Sequence, residues 1–304
     1  MKKILAIFAV VLVACAVPAW AFAAKMQVAV GVAPVAYFAN KIGGELIQTT
    51  LLVPAGADAH TYEPKPSQMR ALSGAALYLS AGLEFEEAWE ARLKGANPKM
   101  LWVETDAGLH KLPMPEGHDH HDKGHKPKAA PAAHAAHHDH DEMDPHVWVS
   151  PAQARQMSAS IAEAMAKADP VHAKVYAANL AAFQKEIDAL DAELKAIFSG
   201  VPAQKRSFLV FHPAWGYFAR DYGLTQTSIE FEGKEPSPKR LAAIVTQAKA
   251  KGARAIFVQP QMSQRTAGVI AKAVGAKLVV ADPLAEDWAA NLRQVAKGFR
   301  EALQ

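Results

Sequence analysis

The order of apolar and polar positions divides the chain into two stretches in which strands and helices alternate. In the first stretch we predict strands at 27–32, 50–53, 76–80 and 100–104 and helices at 35–47, 67–72 and 85–93. In the second we predict strands at 207–211, 227–231, 255–258 and 277–281 and helices at 214–222, 238–251, 263–274 and 288–303. Such alternation is typical of mostly parallel sheets flanked by helices, so the sequence predicts an α/β protein with two lobes.

One long helix is predicted between the two stretches. Apolar residues recur at helical spacing from Val171 to Ile197 without an internal glycine or proline, which predicts about 28 helical residues, roughly 42 Å in length. We interpret it as a rigid connector. The predicted organisation is a signal peptide at 1–23, an N-terminal lobe at 24–168 with a His-rich loop at 113–143, a linking helix at 169–200 and a C-terminal lobe at 201–304.

The first residues have the pattern of an export signal. Lys2 and Lys3 precede the apolar run Ile4 to Ala14, and Ala21 to Ala23 fit a cleavage site before Ala24. The segment that ends at Cys15 also fits a lipoprotein box, in which that cysteine would carry the lipid. Both interpretations place the folded part outside the cytoplasmic membrane, in the periplasm.

Charge and motifs narrow the classes of function. Without Lys2 and Lys3 the chain has 31 basic and 30 acidic residues, and this balance does not favour a nucleic-acid partner. The sequence contains no zinc-protease helix motif, nucleophile elbow or phosphate loop, so we expect no enzyme. We expect Glu230, Glu232 and Glu235 to lie at an exposed strand end and turn.

The distribution of the 13 histidines indicates a transition metal. Eight of them fall in one polar, low-complexity tract that we expect to be a mobile loop binding metal weakly as an accessory. These are His118, His120, His121, His125, His134, His137, His138 and His140.

Three further histidines lie at positions where an α/β sheet binds ligands. His212 and Asp282 each follow a predicted strand directly, His60 lies in the loop after another strand, and His146 precedes the capped helix that begins at Pro151. Three imidazoles and one carboxylate would satisfy a tetrahedral zinc site. The spacings are too long to form a pattern that is specific by itself.

Four segments taken in order resemble the zinc-uptake solute-binding proteins of bacterial ABC transporters. They are Asp58–Met69 (DAHTYEPKPSQM), Asp144–Trp148 (DPHVW), Phe211–Phe218 (FHPAWGYF) and Glu235–Pro238 (EPSP). The resemblance covers essentially the whole mature chain. It implies two α/β lobes joined by a rigid long helix, with one Zn²⁺ held in the cleft between them.

The resemblance also implies a ligand set and partners. His60, His146 and His212 would bind the ion, and Asp282, at a position where several relatives have a carboxylate ligand, would be the fourth ligand. Some zinc-specific relatives use a water or a glutamate before the first histidine instead, but here Ala59 stands in place of that glutamate. The protein, expected to be a monomer, would deliver zinc to a membrane permease driven by a cytoplasmic ATPase, with a periplasmic zinc chaperone as a possible further partner.

Other functions stay open at this point. One is a periplasmic metal buffer or chaperone in which the His-rich tract does the binding, and another is a solute-binding protein of the manganese type. A third is an exported zinc hydrolase that uses a carboxylate such as Glu230. The third imidazole, His212, favours zinc over manganese, because relatives that carry manganese usually have a carboxylate there and manganese is the harder ion.

Overall fold

The computed structural model describes residues 24–114, 143–230, 237–250 and 252–303, which form two separate four-stranded parallel sheets. The predicted signal peptide and the eight clustered histidines lie outside these residues. The two-lobed α/β class predicted from the sequence is confirmed. The predicted domain boundaries stay predictions.

The first sheet and its helices form the N-terminal lobe, with strand order β2-β1-β3-β4. The apolar residues Val28, Ala29 and Val30 of the central strand β1 are fully buried, as expected for a parallel sheet covered on both faces. The elements in chain order are β1 Met26–Val30, α1 Ala33–Gly43, β2 Ile47–Leu51, α2 Pro66–Leu72, β3 Leu77–Ser80, α3 Glu84–Ala96 and β4 Leu101–Glu104.

Two consecutive helices follow, α4 Pro151–Ala168 and α5 Ala173–Phe198. The α4 helix begins where predicted, because the Ser150 hydroxyl accepts a hydrogen bond from the backbone N–H of Gln153 and proline occupies the first helical position. The α5 helix has 26 residues, about 39 Å at 1.5 Å per residue. It packs against α1 and α4 and also against a helix of the second lobe.

The second sheet and its helices form the C-terminal lobe, with strand order β6-β5-β7-β8. Its elements are β5 Ser207–Val210, α6 Gly216–Asp221, β6 Thr225–Ser228, α7 Pro238–Ala250, β7 Ala255–Val258, α8 Gln264–Val274, β8 Lys277–Val280 and α9 Trp288–Ala302. The helix that packs against α5 is α9. The bidentate pair of Arg293 with Glu193 joins these two helices at the surface.

Two edge strands begin earlier than their apolar patterns predicted. The strand expected at 50–53 is β2, which begins at Ile47, because α1 ends at Gly43 and Gly44 takes a φ of 53° that stops the helix. The strand expected at 227–231 is β6, which begins at Thr225. Both are polar edge strands, so hydrophobic spacing gives little signal for their limits.

Contacts between buried side chains join the two lobes firmly. Trp148 donates from its indole nitrogen to the carbonyl of Pro283 at 2.8 Å, and its own carbonyl accepts from the indole of Trp288 at 2.7 Å. One apolar cluster of buried residues runs from β1 through α4 and α5 to α9, while a smaller one lies between the second sheet and α7 and α8. The lobes therefore share a core on the side of α5. Within the described part of the chain, no helix is apolar and long enough to cross a membrane.

Candidate metal centre

Three imidazoles from distant parts of the chain meet where the carboxyl ends of the two sheets face each other. The ring centroids of His60, His146 and His212 lie 5.0 to 5.3 Å apart. Each ring offers a nitrogen such that all three nitrogens lie within 4.8 Å of one another. Nitrogens bound to one tetrahedral zinc at about 2.0–2.1 Å lie about 3.4 Å apart, so small side-chain movements would place all three on one ion.

His60 is held by two carboxylates of the N-terminal lobe. It lies in the loop between β2 and α2, and its backbone N–H donates to Asp58 Oδ1 at 2.9 Å. Its Nδ1 pairs at 2.9 Å with Oε2 of Glu84, the first residue of α3. The imidazole retains 21% of its exposure, so it forms the side of the cluster that faces solvent.

His146 is the most enclosed of the three. It precedes a single helical turn at Val147–Val149, and Asp144 Oδ1 accepts from both its backbone N–H, at 2.9 Å, and its Nδ1, at 2.8 Å. The carbonyl of Asp144 in turn accepts from the hydroxyl of Tyr217, on α6 of the other lobe, at 2.7 Å. The position of His146 therefore depends on both lobes.

His212 lies just after β5 and is buried, as predicted for a residue at the carboxyl end of a central strand. Its Nδ1 lies 3.2 Å from Oε1 of Glu230, the second residue after β6. The expectation that Glu230 is exposed is wrong, since it retains only 5% exposure and packs against this ring. Glu232 and Glu235 lie outside the described residues.

The three carboxylates leave the same ring atom of each histidine available. A histidine whose Nδ1 donates to a carboxylate has its lone pair on Nε2, and this pairing also makes the ring a stronger ligand. His212 Nε2 is buried and has no hydrogen-bond partner among the described residues. Burial of such an atom is costly unless a ligand satisfies it, so the arrangement fits a cation with a preference for nitrogen.

Surroundings shift the titration of two of the rings in opposite directions. Burial disfavours the charged form of His60, but the hydrogen bond and charge of Glu84 outweigh it and raise the pKa of His60 above its usual value. Burial dominates for His146 and lowers its pKa, although the bond to Asp144 acts against that shift. As the pH falls, His60 is therefore protonated before His146, so protons compete with a metal at His60 first.

A buried carboxyl group supports the turn that carries Glu84. Glu86 Oε2 accepts from the backbone N–H groups of Ala81 and Leu83 at 2.8 and 3.1 Å, which fixes the chain where β3 leads into α3. Burial raises the pKa of Glu86 to about 7, against the effect of these donors. A Cβ at Gly31 would lie 2.3 Å from Glu86 Oε1, so glycine is needed at that position.

The structure gives the carboxylate of Asp282 partners other than the three imidazoles. Asp282 Oδ1 accepts from Gln261 Nε2 at 3.1 Å and from the backbone N–H of Leu284 at 2.9 Å. Within the described residues, it is not part of the group of nitrogens and oxygens close enough to share an ion. Its role as a fourth ligand stays a prediction. The accessory role of the eight clustered histidines also stays one, since they lie outside the described residues.

The carboxylates that pair with the imidazoles were not predicted from the sequence. The one signal in the sequence that could have found them is their position at the end of a strand. Glu230 closely follows a strand, as His212 and Asp282 do, and Glu84 begins the helix that follows a strand. Each strand of the C-terminal sheet is followed within two residues by a polar residue at its carboxyl end. These residues are His212, Glu230, Gln259 and Asp282.

Replacement of Glu84 by glutamine is expected to change both zinc affinity and its pH dependence. At pH 8 the loss of the carboxylate should weaken binding by about 10- to 100-fold, because the partner of a ligating histidine contributes that much. The pKa of His60 should fall once the charge that raises it is gone. Since only neutral imidazole binds zinc, the loss of affinity on acidification should begin at a lower pH in the variant.

Chelator competition between pH 8 and pH 5 measures both effects. Glu87→Gln is the matched control, because Glu87 lies in the same first turn of α3 but is exposed. An unchanged onset of the acid-induced loss in Glu84→Gln would show that Glu84 does not set the titration of His60.

The matched family and relatives are named for zinc uptake or zinc binding, which agrees with a site of three converging imidazoles. The model of the family "Zinc-uptake complex component A periplasmic" (ZnuA) matches residues 28–302. The zinc-binding protein AdcA of Streptococcus pyogenes serotype M3 is 30% identical over 265 residues, which is 86% of this chain and 50% of AdcA. The chain thus spans about half the length of this curated relative.

Solved structures match along nearly the whole chain. A crystal structure of ZnuA has a TM-score of 0.81 and 38% identity, and the match covers 92% of this chain and all of the other. A deletion mutant of ZnuA, solved with zinc bound, has a TM-score of 0.80 and 39% identity over 91% of this chain and 98% of that one.

Proposed function

The chain belongs to the periplasmic component A family of zinc-uptake complexes, and we propose that it captures Zn²⁺ outside the cytoplasmic membrane and delivers it for uptake. The partner would be the membrane permease of an ABC transporter, driven by a cytoplasmic ATPase. The observation that carries the proposal is the convergence of three imidazoles from two lobes, each with a carboxylate on its Nδ1.

In this proposal His60, His146 and His212 bind the ion through Nε2. Capture would involve no covalent chemistry: the three imidazoles would coordinate the ion, and the surrounding residues would shield it from solvent. The carboxylates of Glu84, Asp144 and Glu230 lie beside the three rings, and their negative charge stabilises the positive charge of zinc at this largely buried site.

The chemistry of the ligands supports zinc over manganese. Imidazole suits zinc, whereas manganese prefers carboxylate, carbonyl and water oxygens. Within the described residues the converging ligands are nitrogens, and the nearby carboxylates pair with the rings. The names of the matched relatives, a zinc-binding AdcA and a ZnuA solved with zinc, support the same choice.

The proposed cellular location and oligomeric state rest on sequence features. An export signal at residues 1–23 would send the folded part to the periplasm, and lipid attachment at Cys15 would anchor it there. The protein would act as a monomer. A periplasmic zinc chaperone is a further possible partner. The His-rich tract would then add weak zinc sites next to the tight one.

Deletion of the His-rich tract tests where the tight site lies. Met143 forms an antiparallel bridge with Pro113, and the backbone N–H of Asp144 donates to the carbonyl of Leu112 at 2.8 Å. The ends of the tract are therefore adjacent, so residues 117–142 can be replaced by a short glycine-serine linker. We expect the shortened protein to keep one tight zinc equivalent and to lose the weaker ones.

Calorimetry with zinc alone, and with zinc in the presence of an equal concentration of manganese, measures these equivalents. The control is a linker insertion that keeps the tract. Loss of the tight equivalent on deletion would favour the metal-buffer function, in which the tract does the binding. Displacement of zinc by an equal concentration of manganese would instead favour the manganese type of binding protein.

A further inference from the structure

One segment of the C-terminal lobe carries charge of a single sign. From Pro236 to Ala281 the sequence contains eight basic residues and no aspartate or glutamate. The rest of the chain holds the other 25 of the 33 basic residues and all 30 acidic ones. The nearly balanced total therefore conceals one strongly basic segment. Its basic residues are Lys239, Arg240, Lys249, Lys251, Arg254, Arg265, Lys272 and Lys277.

The fold gathers this segment on one face of the C-terminal lobe. The helices α7 and α8 pack against each other and cover the same face of the sheet, where their apolar residues meet Leu209 and Ile256. The edge strand β8 lies beside α8. We name the outer surface of α7, α8 and the adjoining side of β8 the basic face.

The cations of both helices point to solvent on this face. On α8, Arg265, Val269 and Lys272 follow one another at intervals of four and three residues and are all exposed, so they form one stripe along the helix. On α7, Lys239 in the first turn and Lys249 in the last turn are exposed as well. The basic face therefore presents four cations along two neighbouring helices.

These four cations lack a counter-charge in the described part of the chain. None of them forms an ion pair with a carboxylate there. Exposed cations elsewhere do form such pairs, as Lys41 does with Glu186. A surface of unpaired like charges repels itself and attracts a surface of the opposite sign.

Exposed apolar side chains lie on the same face. Of the six large apolar side chains that are exposed among the described residues, three are here: Val269 at 59%, Leu278 at 37% and Val280 at 56%. Leu278 and Val280 pair in register with Ile256 and Val258 of β7, so they point to the side of the sheet that α8 covers. The basic face thus combines cations with apolar contacts.

We propose that the basic face docks the protein on the surface of a membrane that contains anionic phospholipid. Each lysine or arginine near such a surface favours binding, and apolar side chains between them contact the boundary of headgroups and acyl chains. The cations are long side chains spread along two helices, and a fluid layer of phosphates meets them at any position. An acidic protein would instead need carboxylates at matching places.

Docking by this face leaves the metal centre uncovered. The three imidazoles lie at the carboxyl ends of the strands, with His212 just after β5. The helices α7 and α8 cover a side of the sheet and not those ends. A protein held at the membrane in this way would search for its membrane partner in two dimensions. The docking itself requires no metal.

Vesicle flotation tests the proposal with metal-free protein that begins at Ala24, so that neither a signal peptide nor a lipid on Cys15 contributes. Vesicles of equal parts phosphatidylglycerol and phosphatidylcholine are compared with vesicles of phosphatidylcholine alone. We expect binding to the anionic vesicles only, and loss of that binding as salt screens the charges.

Removal of three charges from the basic face should weaken binding to the anionic vesicles by about 100-fold, at roughly fivefold per charge. The variant is Lys249→Gln, Arg265→Gln and Lys272→Gln together. The matched control is Lys99→Gln, Lys174→Gln and Lys185→Gln, which removes the same charge from exposed positions outside the face. The control should bind within a few-fold of the wild type.

The outcomes also separate this proposal from the proposed function. Wild-type protein that does not bind anionic vesicles overturns the docking, and so does equal weakening in the two triple variants. Binding of polyglutamate, but not of vesicles, through the basic face would show that it docks an acidic protein segment, and the lipid proposal would then be wrong. Both variants must fold in a thermal melt and keep one tight zinc equivalent. Absence of that equivalent in the wild type would contradict the proposed function and leave the vesicle result unaffected.

Discussion

Substitution His212→Ala is expected to weaken zinc binding at the tight site by about 100- to 1,000-fold. Four-ligand zinc sites have apparent binding free energies of roughly 10–16 kcal/mol, or about 2.5–4 kcal/mol per ligand, and each 1.4 kcal/mol is tenfold in affinity. His212 also brings the C-terminal lobe to the ion, since the other two imidazoles belong to the N-terminal lobe. Its loss should therefore leave the site open on one side.

The measurement is chelator competition at pH 8, with calorimetry for stoichiometry. His110→Ala is the matched control, because His110 is an exposed imidazole that contacts the carbonyl of Lys111 and lies outside the cluster. Removal of His212 leaves Glu230 buried without its partner, so a thermal melt of the metal-free variant must show that it folds. A folded His212→Ala variant with wild-type zinc affinity would exclude His212 as a ligand.

Substitution Trp148→Ala is expected to have the largest effect on stability. Trp148 is fully buried, lies 5.5 Å from the ring of His146 and is hydrogen-bonded to both Pro283 and Trp288. Truncation of a buried tryptophan costs about 3–5 kcal/mol, and here it also breaks the contact between the lobes. For a chain of this size, that corresponds to a fall in Tm on the order of 10 °C.

Thermal melts of the metal-free and zinc-loaded proteins measure this effect. Trp89→Ala serves as the control, since Trp89 is a partly buried tryptophan on α3 that stacks on Arg92 away from the lobe interface. We expect zinc affinity to fall in Trp148→Ala and to remain unchanged in Trp89→Ala. Equal falls in Tm for the two variants would show that the contacts of Trp148 between the lobes contribute nothing extra to thermal stability.

Much of the fold was predictable because its signals are local. The central strands β1, β5 and β7 each contain a continuous run of three or four apolar residues, and the Ser150 cap together with Pro151 begins α4 as predicted. The long α5 was also predictable, since 26 residues without glycine or proline leave no place to end it earlier. The polar edge strands β2 and β6 were misplaced by two or three residues, because their limits depend on pairing with a neighbour.

The site was predictable only in part. Placement at strand ends selected His60, His146 and His212 as candidates, and the structure brings these three together. Asp282 is not part of this group of ring nitrogens, and its carboxylate accepts a hydrogen bond from Gln261 instead. No local pattern distinguishes one acidic residue from another as the partner of an imidazole, because these pairs join residues far apart in the fold.

The sequence by itself determined the two α/β lobes, the long helix between them and the histidines that point to a metal, since periodicity, caps and residue chemistry act within a few neighbours. Only the tertiary structure decided which carboxylate holds which ring, that Glu230 is buried, and that Gln259 and Gln261 line a cavity beside His60 and His146, each with one amide atom that has no partner among the described residues. These are contacts between residues far apart in the chain. Their geometry depends on how both lobes pack against α5 and each other, which no local pattern encodes.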